Sequence, residues 1–133
     1  MSDVARPTPE QEQIIREEQI GVLATLRRDG SPQLTPVNYV YQDGRLLIST
    51  TRDRAKYRNV RRNPLVSLCI VRAGGRPYVS VFGRAEIEEQ DIAAGTAEIA
   101  RRMSDRPLPE NFGELLRQQG RLLLIVTPER FVP

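Results

Sequence analysis

Residues 20–51 read IGVLATLRRDGSPQLTPVNYVYQDGRLLISTT, three aliphatic and β-branched runs cut by two Asp-Gly pairs, Asp29-Gly30 and Asp43-Gly44. Asp-Gly between apolar runs is a hairpin signal, because both residues tolerate the left-handed backbone of a tight turn. The stretch therefore predicts a meander of three strands, over about residues 20–28, 31–42 and 45–51. Pro32 and Pro36 remove two ladder donors from the middle strand. That predicts an edge, a bulge, or a place where the backbone faces something other than a neighbouring strand, such as a ligand.

Working outward, Thr8, Pro9 and Gln11 have the form of a capping box with proline at the first helical position. They predict a short helix to about Glu18 with Ile14 and Ile15 on its buried side, preceded by a mobile segment up to about Pro7. Downstream of the meander, TRDRAKYRNVRRNP (51–64) is helical in pattern, with Thr51 or Asp53 as its cap and Asn63-Pro64 as its stop. LVSLCIV (65–71) and PYVSVFGRAEIEE (77–89) read as strands separated by RAGGR. A helix over about Asp91–Met103 is expected to bury Ile92, Ile99 and Met103. ENFGELLRQQ (110–119) reads as a short helix stopped by Gly120, and RLLLIVTPERFVP (121–133) as a last strand. Six short strands with few helices predict a mainly β fold with minor α, a small closed or partly closed barrel.

The chain has 133 residues, the length of a single domain. It contains no histidine, which removes Ser/His/Asp triads, Cys/His pairs, histidine metal sites and imidazole acid–base chemistry together. Its single cysteine, Cys69, cannot form an internal disulfide and suits a reducing compartment. The opening MSDVARPTPEQEQIIREEQ has no apolar signal core, and no run approaches the roughly 18–20 apolar residues of a membrane span. The expectation is a soluble, cytoplasmic protein without a membrane partner. The net charge is only +3, but the 20 basic residues are 19 arginines and one lysine, Lys56. A lone lysine in an arginine background invites either chance or a place where a compact ammonium is required.

That lysine lies in residues 50–64, where charge opposes the helix dipole. Arg52, Arg54 and Lys56 crowd a helix N-terminus, already positive by about half a charge, with only Asp53 to offset them. An anion held by free backbone amides, the hydroxyls of Ser49, Thr50 and Thr51, and those cations would turn repulsion into binding, and phosphate is the natural candidate. The alternative is a solvated basic helix screened by water. Arg54, Arg58, Arg61 and Arg62 share one helical face, and Lys56 and Asn59 a neighbouring one. Nucleic acid is disfavoured as a partner, since aromatics make up 5% of the chain and there is no tryptophan to stack on bases. The carboxylate pairs Glu17-Glu18 and Glu88-Glu89 lie at element ends in polar surroundings and do not indicate paired-carboxylate catalysis. Gly74-Gly75 lacks the lysine and hydroxyl of a nucleotide phosphate loop.

Taken together, GVLATLRRDGSPQLTPV and the R-x-K-x-x-N pattern of Arg54, Lys56 and Asn59, followed by Arg61, Arg62, Asn63 and Pro64, resemble the pyridoxamine 5′-phosphate oxidase-like split β-barrels. Within that family the likeness is to the class using the deazaflavin coenzyme F420. The resemblance covers about residues 20–85, and the C-terminal third matches only loosely. It implies a six-stranded split barrel of the FMN-binding type with short flanking helices, forming a homodimer with cofactor sites at the subunit interface. By this likeness Arg54, Lys56 and Asn59 hold the cofactor phosphate, Gln33, Thr35, Pro36 and Val37 line the ring system, and Ser49, Thr50 and Thr51 connect the two. Arg76 and Tyr78 of the opposite chain close over the site. Relatives often carry an aromatic near position 76, so the arginine here departs from ring stacking and favours an acidic cofactor tail.

The activity implied is hydride transfer between reduced F420 and a small conjugated organic acceptor. An FMN enzyme on the same barrel and a non-catalytic F420 carrier stand as alternatives. Tyr39, Tyr41 and Tyr78 are candidate proton donors beside solvent. No metal site is expected.

Overall fold

The computed structural model describes residues 4–133. Its elements are α1 (Pro9–Glu17), β1 (Ile20–Leu26), β2 (Pro32–Gln42), β3 (Arg45–Thr51), α2 (Ala55–Arg62), β4 (Leu65–Val71), a single 3₁₀ turn (Ala73–Gly75), β5 (Tyr78–Glu88), α3 (Ala93–Met103), α4 (Phe112–Gln118) and β6 (Arg121–Val132). The strands close into an antiparallel barrel in the order β1-β2-β3-β6-β5-β4, with β4 returning to β1. The mainly β fold, the six strands and the flanking helices are those expected from the sequence. Of the N-terminal segment expected to be mobile, residues 1–3 lie outside the described residues. Nearer the barrel the expectation is corrected, because the Ala5 amide donates to the Pro128 carbonyl at 3.0 Å and ties that segment to β6.

The two Asp-Gly pairs do different things. Asp43 and Gly44 both have positive φ (54° and 78°), the signature of a two-residue turn between paired Gln42 and Arg45. The first pair sits in a wider loop. The Arg27 amide donates to Ser31 and the Gly30 amide to Arg27, with Gly30 alone left-handed at 87°. The Asp29 carboxylate accepts from both the amide and the hydroxyl of Ser31, so its role is to hold the loop rather than to adopt the turn backbone. Strand β1 consequently ends at Leu26, two residues before the expected boundary.

Alternation along each strand sends one set of side chains inward. Leu46, Ile48, Ile70, Leu122 and Leu124 are fully buried there, each contributing about 1.5–3 kcal/mol of burial free energy. Helix α1 plugs the barrel with Ile14 and Ile15, starting from the reciprocal Thr8–Gln11 capping box. Tyr39 locks it in place by donating to the carbonyls of Ile15 (2.6 Å) and Glu18 (3.0 Å). Arg72 closes the same end by pairing with Glu17 and Glu18.

Outside the barrel the two sides differ. Helices α3 and α4 bury Ile92, Ile99 and Leu116 against Leu123, with Leu47 and Val40 packed alongside, making a second small core. Gly95 allows the close approach, since a Cβ there would meet Leu47 and Leu123 side-chain carbons at 2.8 and 2.9 Å. Met103, expected in that core, is instead 58% exposed. The opposite side is the outer face of β1, β4, β5 and the first half of β2. Val22, Leu34, Leu65, Val71, Tyr78 and Phe82 stand exposed there, a grouping of apolar side chains larger than scattered surface hydrophobics account for. Among the described residues no helix is long and apolar enough to cross a membrane.

Candidate functional site

The barrel wall opens between β2 and β3. These strands pair only over Tyr39–Gln42 and Arg45–Ile48. Beyond that point β2 continues against β1, from Asn38 opposite Ile20 to Pro32 opposite Leu26. Strand β3 continues against β6, with Ser49, Thr50 and Thr51 opposite Leu123, Leu122 and Arg121. The facing edges, Pro36–Asn38 and Ser49–Thr51, therefore diverge with no strand between them. Pro36 has no amide to donate across the gap, and the hydroxyl run on the other edge brings polarity where a closed barrel would have buried aliphatics.

A cavity of about 420 Å³ fills this opening, bounded by both strand edges, the start of α2, and the inner surface of α3 and α4. One wall is apolar: Pro36 and Val37 on the strand side, Ile99, Ala100, Met103, Phe112 and Leu116 on the helical side. The other end carries Arg54, Lys56 and Arg121. No aspartate or glutamate lines it, and among the described residues none of these three cations makes an ion pair with a carboxylate. Three positive charges at one end of a half-apolar cavity are costly unless an anion shares the space. The lysine registers this: burial first, then the neighbouring Arg54 and Arg121, holds its ammonium below the usual lysine pKa.

Helix α2 begins here, although not as the sequence suggests. Its cap is Arg54, whose side chain makes no capping bond, instead of Thr51 or Asp53. The Thr51 hydroxyl is turned onto the Asp53 carboxylate, and that bond is the main cause of the lowered Asp53 pKa. With the two natural capping side chains engaged with each other, no side chain caps the first turn of α2, and the Tyr57 amide turns back onto the Arg54 carbonyl at 3.2 Å. Thr50 adds a buried polar group beside the cavity. It is 3% exposed, it lines the cavity, and its hydroxyl has no hydrogen-bond partner, a state that costs about 1–3 kcal/mol in a buried polar group.

Of the residues expected to hold a cofactor, Thr35, Pro36, Val37, Ser49, Thr50, Thr51, Arg54 and Lys56 meet around this one cavity. Asn59 and Gln33 lie behind it. The Asn59 amide is 6% exposed and donates to the Thr25 hydroxyl (3.0 Å) and to Gln33 Oε1 (3.3 Å), while its oxygen accepts from Arg62 (2.9 Å). With its polar atoms so engaged, Asn59 fastens α2 to β1 and β2, and so positions the cations without reaching the cavity. Arg76 and Tyr78 stand on the exposed β4–β5 side, away from the cavity of their own protomer. The candidate proton donors also lie elsewhere. Tyr39 is bonded to α1, and burial raises its phenol far above the ordinary value. Tyr41 is buried under Arg16, and Tyr78 is on the open face.

The sequence reading passed over Asn38, Arg121, Gln119 and the entire α3–α4 wall. Nothing local marks those helical residues, whose apolar spacing is that of any amphipathic helix. Arg121 is the exception: a cation opening a strand otherwise as apolar as RLLLIV needs a reason to be there. The outer arginines of α2 serve local bonds. Arg58 donates to the Asp53 carbonyl, Arg62 to the Leu26 carbonyl, and Arg61 lies over the Tyr57 ring.

The donor set fits a flavin-like coenzyme with an acidic tail: cations and an unpaired hydroxyl at one end, flat apolar surfaces at the other. Solved structures agree with the architecture. One described as an F420 reductase is 27% identical to this chain, covers 96% of it and 98% of its own length, and superposes with a TM-score of 0.77. A conserved hypothetical protein from Mycobacterium tuberculosis (24% identity, 98% of this chain and 86% of its own, TM-score 0.81) shares the fold. So does an FAD-binding protein from Mesorhizobium loti (20% identity, 95% and 92%, TM-score 0.69). The family model for pyridoxamine 5′-phosphate oxidase matches residues 7–131. With the barrel, the opened seam and that match over nearly the whole chain, the protein belongs to the pyridoxamine 5′-phosphate oxidase family of oxidoreductases.

Proposed function

We propose that this protein is a reductase that binds the deazaflavin coenzyme F420 in the β2–β3 opening and passes hydride from its reduced form to a small conjugated organic acceptor. The observation that carries this reading is the cavity itself, with Arg54, Lys56 and Arg121 at one end, the unpaired Thr50 hydroxyl between, and an apolar wall opposite. The similarity to the structure described as an F420 reductase favours the deazaflavin over FMN. FMN on the same residues is the second reading, since its phosphate meets the same cations.

When bound, the coenzyme supplies the hydride chemistry. The chain supplies position and environment. Arg54 and Lys56 grip the phosphate through charge-assisted bonds, with Asn59 holding their helix against the barrel. Thr50 would set its unpaired hydroxyl beside the bound coenzyme. Pro36 and Val37 on one side, and Phe112, Met103 and Ile99 on the other, would offer apolar contact to a planar ring. None of the three candidate tyrosines reaches the cavity of its own protomer, so within one protomer the proton that accompanies reduction of the acceptor comes from solvent at the open mouth.

The bare outer face of β1, β4 and β5 is assigned to a second copy of this chain. Pro36 lies on that face opposite Val22 and also lines the cavity, so a copy seated there borders the coenzyme and brings its own Arg76 and Tyr78 toward it.

Titrating apo-protein with F420 and with FMN, followed by absorbance and by turnover against enones and quinones, tests the reading. Submicromolar F420 binding with turnover is expected. Tight FMN binding with none for F420 overturns the coenzyme choice, and F420 binding without turnover on any acceptor leaves a carrier. Light scattering of the wild type and of Val22→Glu checks the dimer: a wild type that stays monomeric at tens of micromolar rejects it.

A further inference from the structure

Three cations meet at the cavity's polar end, and only two of them, Arg54 and Lys56, come from the α2 segment. The third, Arg121, is the first residue of β6, opposite Thr51 on β3. It is brought to the site by strand pairing across seventy positions of sequence. Its guanidinium is held by two neutral groups that also line the cavity, Nε donating to Gln119 Oε1 (3.1 Å) and Nη1 to Ser49 Oγ (3.4 Å). A planar guanidinium has five donors, and two neutral acceptors use only two of them. Among the described residues no carboxylate pairs with it. Half-buried, aimed by Ser49 and Gln119, and next to Lys56, it is an arginine preorganised for an anion that the polypeptide does not provide.

We propose that Arg121 is the third arm of the phosphate clamp, taking from the last strand the place that Asn59, bonded inward, leaves open. This deepens the coenzyme reading and rests on it for the identity of the ligand, but the clamp is testable without either coenzyme. Three cations with no lining acid more than offset a terminus carrying two negative charges, such as a phosphate monoester near neutral pH or a phosphodiester with a carboxylate beside it. Arg121 meets such a terminus in two-toothed fashion, while Lys56 acts as a point charge. Gln119 and Ser49 are positioning residues for Arg121.

The test uses inorganic phosphate as probe, at constant ionic strength, reading the rise in melting temperature of the full chain and the broadening of the phosphorus NMR line. Wild type is expected to respond at millimolar phosphate. Arg121→Gln is expected to lose at least about tenfold in phosphate affinity with its phosphate-free melting point unchanged. Arg121→Lys, which keeps the charge and loses the fork, should fall between the two. Equal phosphate affinity in Arg121→Gln and wild type overturns the proposal. Equal loss in both variants together with a lowered phosphate-free melting point also overturns it, since that marks a purely structural arginine. If the phosphate response behaves as expected while neither F420 nor FMN binds, the clamp stands and the coenzyme reading falls.

Discussion

The seam between β2 and β3 has a closed half and an open half, only a few residues apart. In the closed half, Tyr39–Gln42 pair with Arg45–Ile48, and the inward side chains, Tyr39, Tyr41, Leu46 and Ile48, are all buried. In the open half, Pro36–Asn38 face Ser49–Thr51 across a cavity with cations at one end and an unpaired buried hydroxyl. Closed pairing satisfies the backbone internally and leaves nothing for a ligand. Open pairing leaves the Thr50 hydroxyl without a hydrogen bond and the cations Arg54, Lys56 and Arg121 without a carboxylate partner among the described residues. The protein builds its site by halting strand pairing partway along one ladder, so stability and binding should separate along the same two strands.

The largest effect is expected from the closed half. Ile48→Ala removes a fully buried side chain and should cost about 2–5 kcal/mol of stability, read by denaturant unfolding. A loss under 1 kcal/mol would mean that this half is not the anchor it resembles. Next, in the open half, Lys56→Ala should weaken coenzyme binding by about 30- to 100-fold, since it removes a charge-assisted contact, while leaving the melting temperature within a few degrees of wild type. Comparable damage to both quantities would erase the distinction between the halves.

Thr50→Val sharpens the comparison because its two effects have opposite signs. Replacing a buried, unpaired hydroxyl with a methyl of similar shape should raise the stability of the ligand-free protein by up to about 1 kcal/mol, while lowering coenzyme affinity several-fold. Destabilisation of the ligand-free protein would show that the hydroxyl serves the fold. The smallest effect concerns pH. The Lys56 pKa is lower folded than unfolded, chiefly by burial and then by Arg54 and Arg121. Between the folded value and the ordinary 10.5 the unfolded chain holds the extra proton, so the stability of the ligand-free protein rises slightly as pH climbs through that window. Phosphate affinity should fall over the same window, because the ammonium is being lost. Titration of phosphate affinity at alkaline pH, with Lys56→Arg as a reference that does not titrate there, reads it directly.

Much of the architecture was legible because it depends on local signals. The Asp43-Gly44 pair, the alternation of the apolar runs and the Thr8–Gln11 box specify backbone conformation within a few residues, whereas Asp29-Gly30 marked a wider loop and left the end of β1 two residues short of its expected place. The cation cluster around Arg54 and Lys56 was legible too, as a violation of the helix dipole. Met103 was misplaced because its spacing fits the buried side of α3, whereas the tertiary structure sets it at the wall of the open cavity. Asn59 was expected to hold the phosphate from the family resemblance. Its true surroundings, Thr25, Gln33 and Arg62, come mainly from other strands.

The chain's own order of residues determined the strands, their turns, the absence of imidazole chemistry and the presence of misplaced positive charge, since each follows from neighbours within a helical turn or a hairpin. Tertiary structure alone decided where β2 and β3 part, that Arg121 joins Lys56, and that α3 and α4 supply the apolar wall. Those are contacts between segments far apart in sequence. They are set by barrel closure and by which outer face the helices cover, and no local pattern encodes them.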